Sequence, residues 1–160
     1  MDGWRQDGST NADAISWMFR RAPEFMDVVT YVGFSSPNPK ALPHNLTVAP
    51  EMIMIRRRNN ASSSWYVWSE ALGVPGTPAG FMKLNTDAAS STGEDQIKAV
   101  AATTFSLAAN ENLTSGDGYT YLAYLFATLA GISKVGSYTA DGTLTTIDCG
   151  FAAGARFILI

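Results

Sequence analysis

Apolar positions in this chain recur every second residue far more often than every third or fourth. The stretch 24–34, EFMDVVTYVGF, is rich in β-branched and aromatic residues and stops at SSPNPK, a turn-forming cluster; it reads as a strand and its end. EMIMIRRR, 51–58, follows Pro50 and is apolar at successive positions, the pattern of a strand covered on both faces. After the turn NNASSS, the stretch SWYVWSE puts Trp65 and Val67 on one face and Tyr66 and Trp68 on the other. GVPGTPAG, 73–80, is a loop because its prolines and glycines exclude regular structure. GFMKLN reads as a short strand and TDAASSTGEDQ, 86–96, as a polar loop. KAVAATTFSLA, 98–108, mixes helix-favouring alanines with Val100, Thr103, Thr104 and Phe105, and is assigned to a strand. GDGYTYLAYLFATLA is a long strand opened by an Asp-Gly turn. ISKVGSYTA alternates, Asp141-Gly142 marks a hairpin turn, TLTTID is a short strand and ARFILI the terminal one. About ten short strands separated by turn chemistry define an all-β fold, an antiparallel β-sandwich or a jelly-roll-like relative. No stretch keeps a helical period for long enough to argue a helix. Val28, Val29, Ile53, Ile55, Phe126, Val135, Phe157 and Ile158 are the expected core.

The pattern is written twice. SWMFRRAPEFMDVVTYVG, 16–33, aligns without a gap on AYLFATLAGISKVGSYTA, 123–140, so that Ser16 falls on Ala123, an offset of 107. Trp17 meets Tyr124, Phe19 meets Phe126, Val28 meets Val135 and Tyr31 meets Tyr138. After a shift of two, HNLTVAPEMIMI, 44–55, aligns on CGFAAGARFILI, 149–160, with Ile53 on Ile158 and Ile55 on Ile160. The chain is thus expected to be a single β domain, 1–160, with repeated strand units at 15–55 and 122–160. An offset of 107 is too long for a solenoid, whose units run about 20–50 residues. Two readings stand: equivalent strands related by an approximate two-fold, or a lineage of tandem modules. Ile160, an apolar strand position where the first copy continues into Arg56, favours the second. In either case Met18 to Tyr31 and Leu125 to Tyr138 should form equivalent strand pairs, because register fixes which side chains face the core.

Composition narrows the class. The chain has 160 residues, 46% hydrophobic, which is ample for one core and argues against disorder. Charged residues are only 16%, their place taken by small polar ones, which suits a stable extracellular or particle-borne β protein. Net charge is −3 and Arg56 to Arg58 is the single basic run, so nucleic acid is not an expected partner. One cysteine, Cys149, excludes an intrachain disulfide. The polar start has no apolar signal region, and no apolar run approaches a membrane span, so membrane insertion is not expected.

SWMFRRAPEFMDVVTYVG, PHNLTVAPEMIMIRRR, WYVWSEALG and the segment from YLAYLFATLAG to ARFILI together resemble an uncharacterised repeated β domain of bacteriophage tail-fibre and tail-tip proteins, of the kind found in marine phages. The resemblance covers Ile15 to Ile160 and carries no chemical motif. It implies a virion structural or host-attachment role, virion localisation, and other virion proteins as partners.

Candidate chemistry is sparse. His44 is the only histidine, so any catalytic triad would need it; in LPHNL it reads as a turn residue making a local hydrogen bond. Cys149 aligns on it, which marks the position as structural. Glu94 and Asp95 are adjacent and would face opposite ways on a strand. Asp117 and Asp141 sit beside glycines, where aspartate serves the backbone of a turn. The sequons at Asn45, Asn60 and Asn112 are attributed to chance. No catalytic residue, metal site or cofactor is therefore assigned. Aromatics give the functional lead: Trp65, Tyr66, Trp68, Tyr119 and Tyr121 are candidates for stacking on a glycan or for an interface. Arg156, Phe157, Ile158, Leu159 and Ile160 are a candidate oligomer edge. The expected function is a non-enzymatic structural module of a phage tail fibre, forming a trimer or fibre and touching a bacterial surface glycan or protein receptor. A lectin-like carbohydrate-binding sandwich is the alternative and a polysaccharide depolymerase domain the third.

Overall fold

A computed structural model describes residues 18–77, 79–91 and 96–160. Among these residues eight strands lie in chain order: β1 Met26–Val32, β2 Lys40–Pro43, β3 Met52–Arg57, β4 Trp65–Ser69, β5 Met82–Lys83, β6 Ile97–Val100, β7 Thr104–Leu107 and β8 Thr120–Phe126. A 3-10 turn, Glu70–Leu72, follows β4. Among the described residues there is no α-helix, and no helix long and apolar enough to cross a membrane. Five strands form one sheet in the order β1-β8-β3-β4-β5, and three form a second in the order β2-β7-β6. Every pairing is antiparallel. The two sheets share one core, so the domain is the expected all-β sandwich.

Alternation decides what goes inside. On β8 the side chains of Tyr121, Ala123 and Leu125 point inward and are fully buried, while Leu122, Tyr124 and Phe126 between them are half-buried. Register then aligns rows across the sheet. Val29 lies beside Ala123, Ala123 beside Ile55, and Ile55 beside Tyr66. The small alanine leaves room for larger neighbours on both sides. Ile53 and Ile55 on β3 and Tyr66 and Trp68 on β4 complete this wall. Leu42, Ile97, Phe105 and Leu107 of the smaller sheet close on it from the other side. Each fully buried aliphatic side chain contributes about 2 kcal/mol of transfer free energy.

The loop 108–118 is tied to the wall by polar groups. The Tyr31 hydroxyl donates to the Thr114 carbonyl at 2.5 Å, and Tyr31 stacks on Tyr121 with centroids 5.3 Å apart. The Tyr121 hydroxyl accepts from the Gly116 N–H at 2.9 Å and donates to the Asn112 carbonyl at 3.2 Å. The buried Ser115 hydroxyl donates to the Ala108 carbonyl at 2.5 Å. Gly33, at the end of β1, meets this loop so closely that a β-carbon there would lie 1.8 Å from the Gly116 carbonyl oxygen.

Several expected elements change. The strand assigned to 98–108 is a hairpin, β6 and β7, turning at 101–103. β2 lies beyond the SSPNPK turn and was not expected; it is a short edge strand ending at Pro43, a place where proline costs no ladder bond. β8 stops at Phe126, so ISKVGSYTA, TLTTID and ARFILI form no strands. Ile53 and Ile55 are fully buried as expected; Val28, Val29, Phe126 and Val135 are only half-buried, and Phe157 and Ile158 are exposed.

The two copies of the repeated pattern therefore do not form equivalent strand pairs in this chain. The likeness survives in one turn. Ala22 and Met26 bond each other's backbone at 3.0 and 3.1 Å, and Leu129 and Ser133 do the same at 3.1 and 2.9 Å. The third residue of each turn is left-handed: Glu24 at φ 62° and Gly131 at φ 75°. Beyond it, 26–32 runs along β8, but 133–139 does not. Both edges of β8 are already taken by β1 and β3, and Gly136 and Ser137 stand where β1 has Val29 and Thr30. The start of the first unit, including Trp17, lies outside the described residues.

Gly33→Ala should lower stability by about 3 kcal/mol, since the Gly116 carbonyl is backbone and cannot swing aside. Gly136→Ala, whose β-carbon would meet nothing closer than the end of Lys134 at 3.9 Å, should change it by less than about 0.5 kcal/mol. Urea unfolding of the two variants measures the contrast.

Candidate functional site

The aromatic candidates divide by strand position. Tyr66, Trp68 and Tyr121 point inward and are at most 1% exposed, so they belong to the core and offer no ring face to a ligand. Tyr66 stacks on Phe81 with centroids 4.9 Å apart. Trp65 and Tyr119 remain accessible. Trp65 is half-buried on the outer face of the five-stranded sheet, stacked on Tyr124 at 6.0 Å and 26°. The Arg56 guanidinium lies over the same indole at 5.8 Å. Tyr124, which sequence reasoning missed, is thus half of this platform. Its signal was the strict alternation of β8, which forces Tyr124 opposite to Tyr121.

Around the platform the outer face is apolar. One row runs Val28, Tyr124, Met54, Val67 and Met82 across the five strands. A second runs Thr30, Leu122, Arg56 and Trp65. Met54 and Val67 in the middle are buried; Val28, Leu122, Tyr124 and Trp65 are half-buried; Met82 and Leu84 at the β5 edge are exposed. An antiparallel sheet with one solvated face normally carries polar residues there.

Tyr119 belongs to a second cluster. The Arg57 side chain points inward and is 8% exposed. Its guanidinium lies 3.8 Å from the Tyr119 ring centroid and 5.9 Å from that of Tyr121, and donates to the Asn112 carbonyl. Cation–π contact and the carbonyl hold the charge where no carboxylate pairs with it among the described residues. Burial, with the neighbouring Tyr121 second, pushes the Tyr31 phenol well above its ordinary value, so it stays a neutral donor to Thr114.

Acid and base groups are engaged in structure. Asp27 is buried and accepts from Arg21 at 2.5 Å, Asn45 N–H at 2.7 Å and Val28 N–H at 2.8 Å. Burial pulls its carboxyl up, but these donors together outweigh it and hold the group below the usual carboxylate value. His44 accepts from the Leu46 N–H through Nδ1, the local bond expected of it, and also bonds the distant Ala101 carbonyl through Nε2. Asp117 receives the Gly118 N–H, and Asp141 receives the N–H and hydroxyl of Thr143, the turn bonds expected of both. Glu94 and Asp95 lie outside the described residues. Among the described residues no three His, Cys, Asp or Glu side chains gather to hold a metal ion. Arg156 to Ile160 is not an edge strand: these residues are exposed and irregular, with the Phe157 ring 5.6 Å from Phe19.

By class the chain is an all-β domain of two antiparallel sheets packed on one core. The family model described as a domain of unknown function, DUF7483, matches residues 3–160, and the chain belongs to that family. No curated protein and no solved structure matches it.

Asp27→Asn should cost about 2 kcal/mol at neutral pH by removing the ionic partner of Arg21 and the strongest acceptor for Asn45. Because the folded carboxyl titrates below its ordinary 3.8, its contribution is complete above that value and is lost as pH falls through the folded one. Wild type should therefore lose more stability than Asp27→Asn on going from about pH 5 to about pH 2, and their urea midpoints should converge.

Proposed function

We propose that this domain is a non-enzymatic structural module of a bacteriophage virion, an element of a tail fibre that works by packing its five-stranded sheet against a neighbouring protein surface. The observation that carries this reading is the outer face of that sheet, where exposed Met82 and half-buried Val28 and Tyr124 share one apolar row with the buried Met54 and Val67. Water is a poor neighbour for such a row, and a second protein surface is a good one. The phage assignment rests on the resemblance of the four quoted sequence blocks. The neighbours are further copies in a trimer or fibre, together with other virion proteins, and the site of action is the particle.

A second reading has its own support. Trp65 stacked on Tyr124 under the Arg56 guanidinium is a half-exposed aromatic platform of the kind that takes a sugar face. It would let the same surface touch a bacterial glycan as a lectin does.

Sedimentation at micromolar concentration tests the first reading. Wild type should run as a discrete trimer or larger species, and Met82→Lys, at an exposed position that the core does not need, should shift it to monomer. A single monomeric wild-type species would remove the reading. For the second, Trp65→Ala should abolish binding on an array of bacterial surface glycans, whereas a wild type that binds none of them would exclude it.

A further inference from the structure

The C-terminal segment repeats the parts of the sheet that depend on β8, without repeating β8. In the folded sheet, β1 pairs only with β8, and β3 pairs with β8 on one side and β4 on the other. The aligned counterparts of β1 and of the first part of β3 are 133–139 and 157–160. The strand at the matching offset from them would come after Ile160, and the one β8 present has both edges occupied.

Three observations show that the second copy is prepared for that strand. The turn that launches β1 is rebuilt at the offset of 107, with the same pair of backbone bonds and the same left-handed residue, Glu24 in one case and Gly131 in the other. After the turn, the core positions of the first copy reappear as exposed apolar side chains: Ile53 is 0% exposed and its counterpart Ile158 67%, Ile55 0% and Ile160 88%. Tyr31 is half-buried under Tyr121, whereas Tyr138 is 49% exposed. No strand forms between 134 and 160 although the residues are those of strands elsewhere in the chain. Besides Gly136 and Ser137 in place of Val29 and Thr30, the copies differ in the presence of a ladder partner.

We infer that residues 129–160 are an acceptor for one β strand of the β8 pattern, belonging to a further copy of this domain, which inserts between 133–139 and 156–160 as β8 inserts between β1 and β3. The occupant alternates as TYLAYLF does, with a small residue at the central inward position to clear its neighbours. The first sheet is complete without the segment, so consecutive copies would share sequence continuity while each sheet closes on its own central strand. This inference does not depend on the virion reading.

The test extends the full chain by a second copy of residues 56–127 after Ile160, where Arg56 follows as it follows Ile55. Hydrogen exchange then reads the amides of 133–139 and 156–160. They should exchange at least about 100-fold more slowly than in the unextended chain. An extension ending at residue 115, which omits β8, should give no slowing. Ile158→Asp in the long chain should abolish the slowing at both segments and leave that of 26–32 intact. Fast exchange in the long chain, equal slowing with the short extension, or slow exchange already present in the unextended chain would each overturn the proposal. Deleting 136–160 from the unextended chain gives a check that needs no new folding. Its unfolding midpoint should not move, and a lowered midpoint would show the segment to be part of the first core and overturn the proposal.

Discussion

The pairing of β8 with both β1 and β3 is the constraint on which the sheet rests. Residues 120–126 lie between 26–32 and 52–57, so β1 joins the larger sheet only through a strand from the far end of the described chain's core. The closure is entropically costly and its loss would separate β1 from everything else in its sheet. Tyr121, Ala123 and Leu125 offset that cost because each is fully buried and each contacts a row that crosses several strands. The same strand fixes the loop 108–118 through the Tyr121 hydroxyl, and with it the carbonyl that receives Arg57.

One strand thus has two jobs on two faces. Its inward side builds the core, and its outward side, with Leu122, Tyr124 and Phe126, builds part of the apolar outer face of the sheet. Several polar groups fasten the structure: Asp27 holds Arg21 and the Asn45 backbone, His44 bridges Leu46 and Ala101, and Arg57 lies over tyrosine rings.

The sheet order also accounts for the contrast between the two halves of the repeated pattern. Nearly the same apolar sequence is a buried strand at Ile53–Ile55 and exposed chain at Ile158–Ile160. Strand propensity alone cannot decide between those states, because a strand's backbone bonds are made by its neighbour.

The fold class and the two principal strands around Val28 and Ile55 were legible in the sequence, because alternation of period two and β-branched residues act locally. So were the local bonds of Asp117, Asp141 and His44, which depend on neighbours one or two residues away. The opposed faces of β4 were legible too, but which face was core was not: Trp65 and Trp68 are the same residue type on one strand, and only the position of the second sheet buries Trp68 and leaves Trp65 beside Tyr124. The short edge strand β2 was hidden by prolines, and the hairpin within 98–108 by a run without turn signals. The fate of the last 34 residues, 127–160, was decided by tertiary structure alone. Their sequence carries a strand pattern, but a strand needs an open edge to bond to, and the edges of β8 were already filled by β1 and β3.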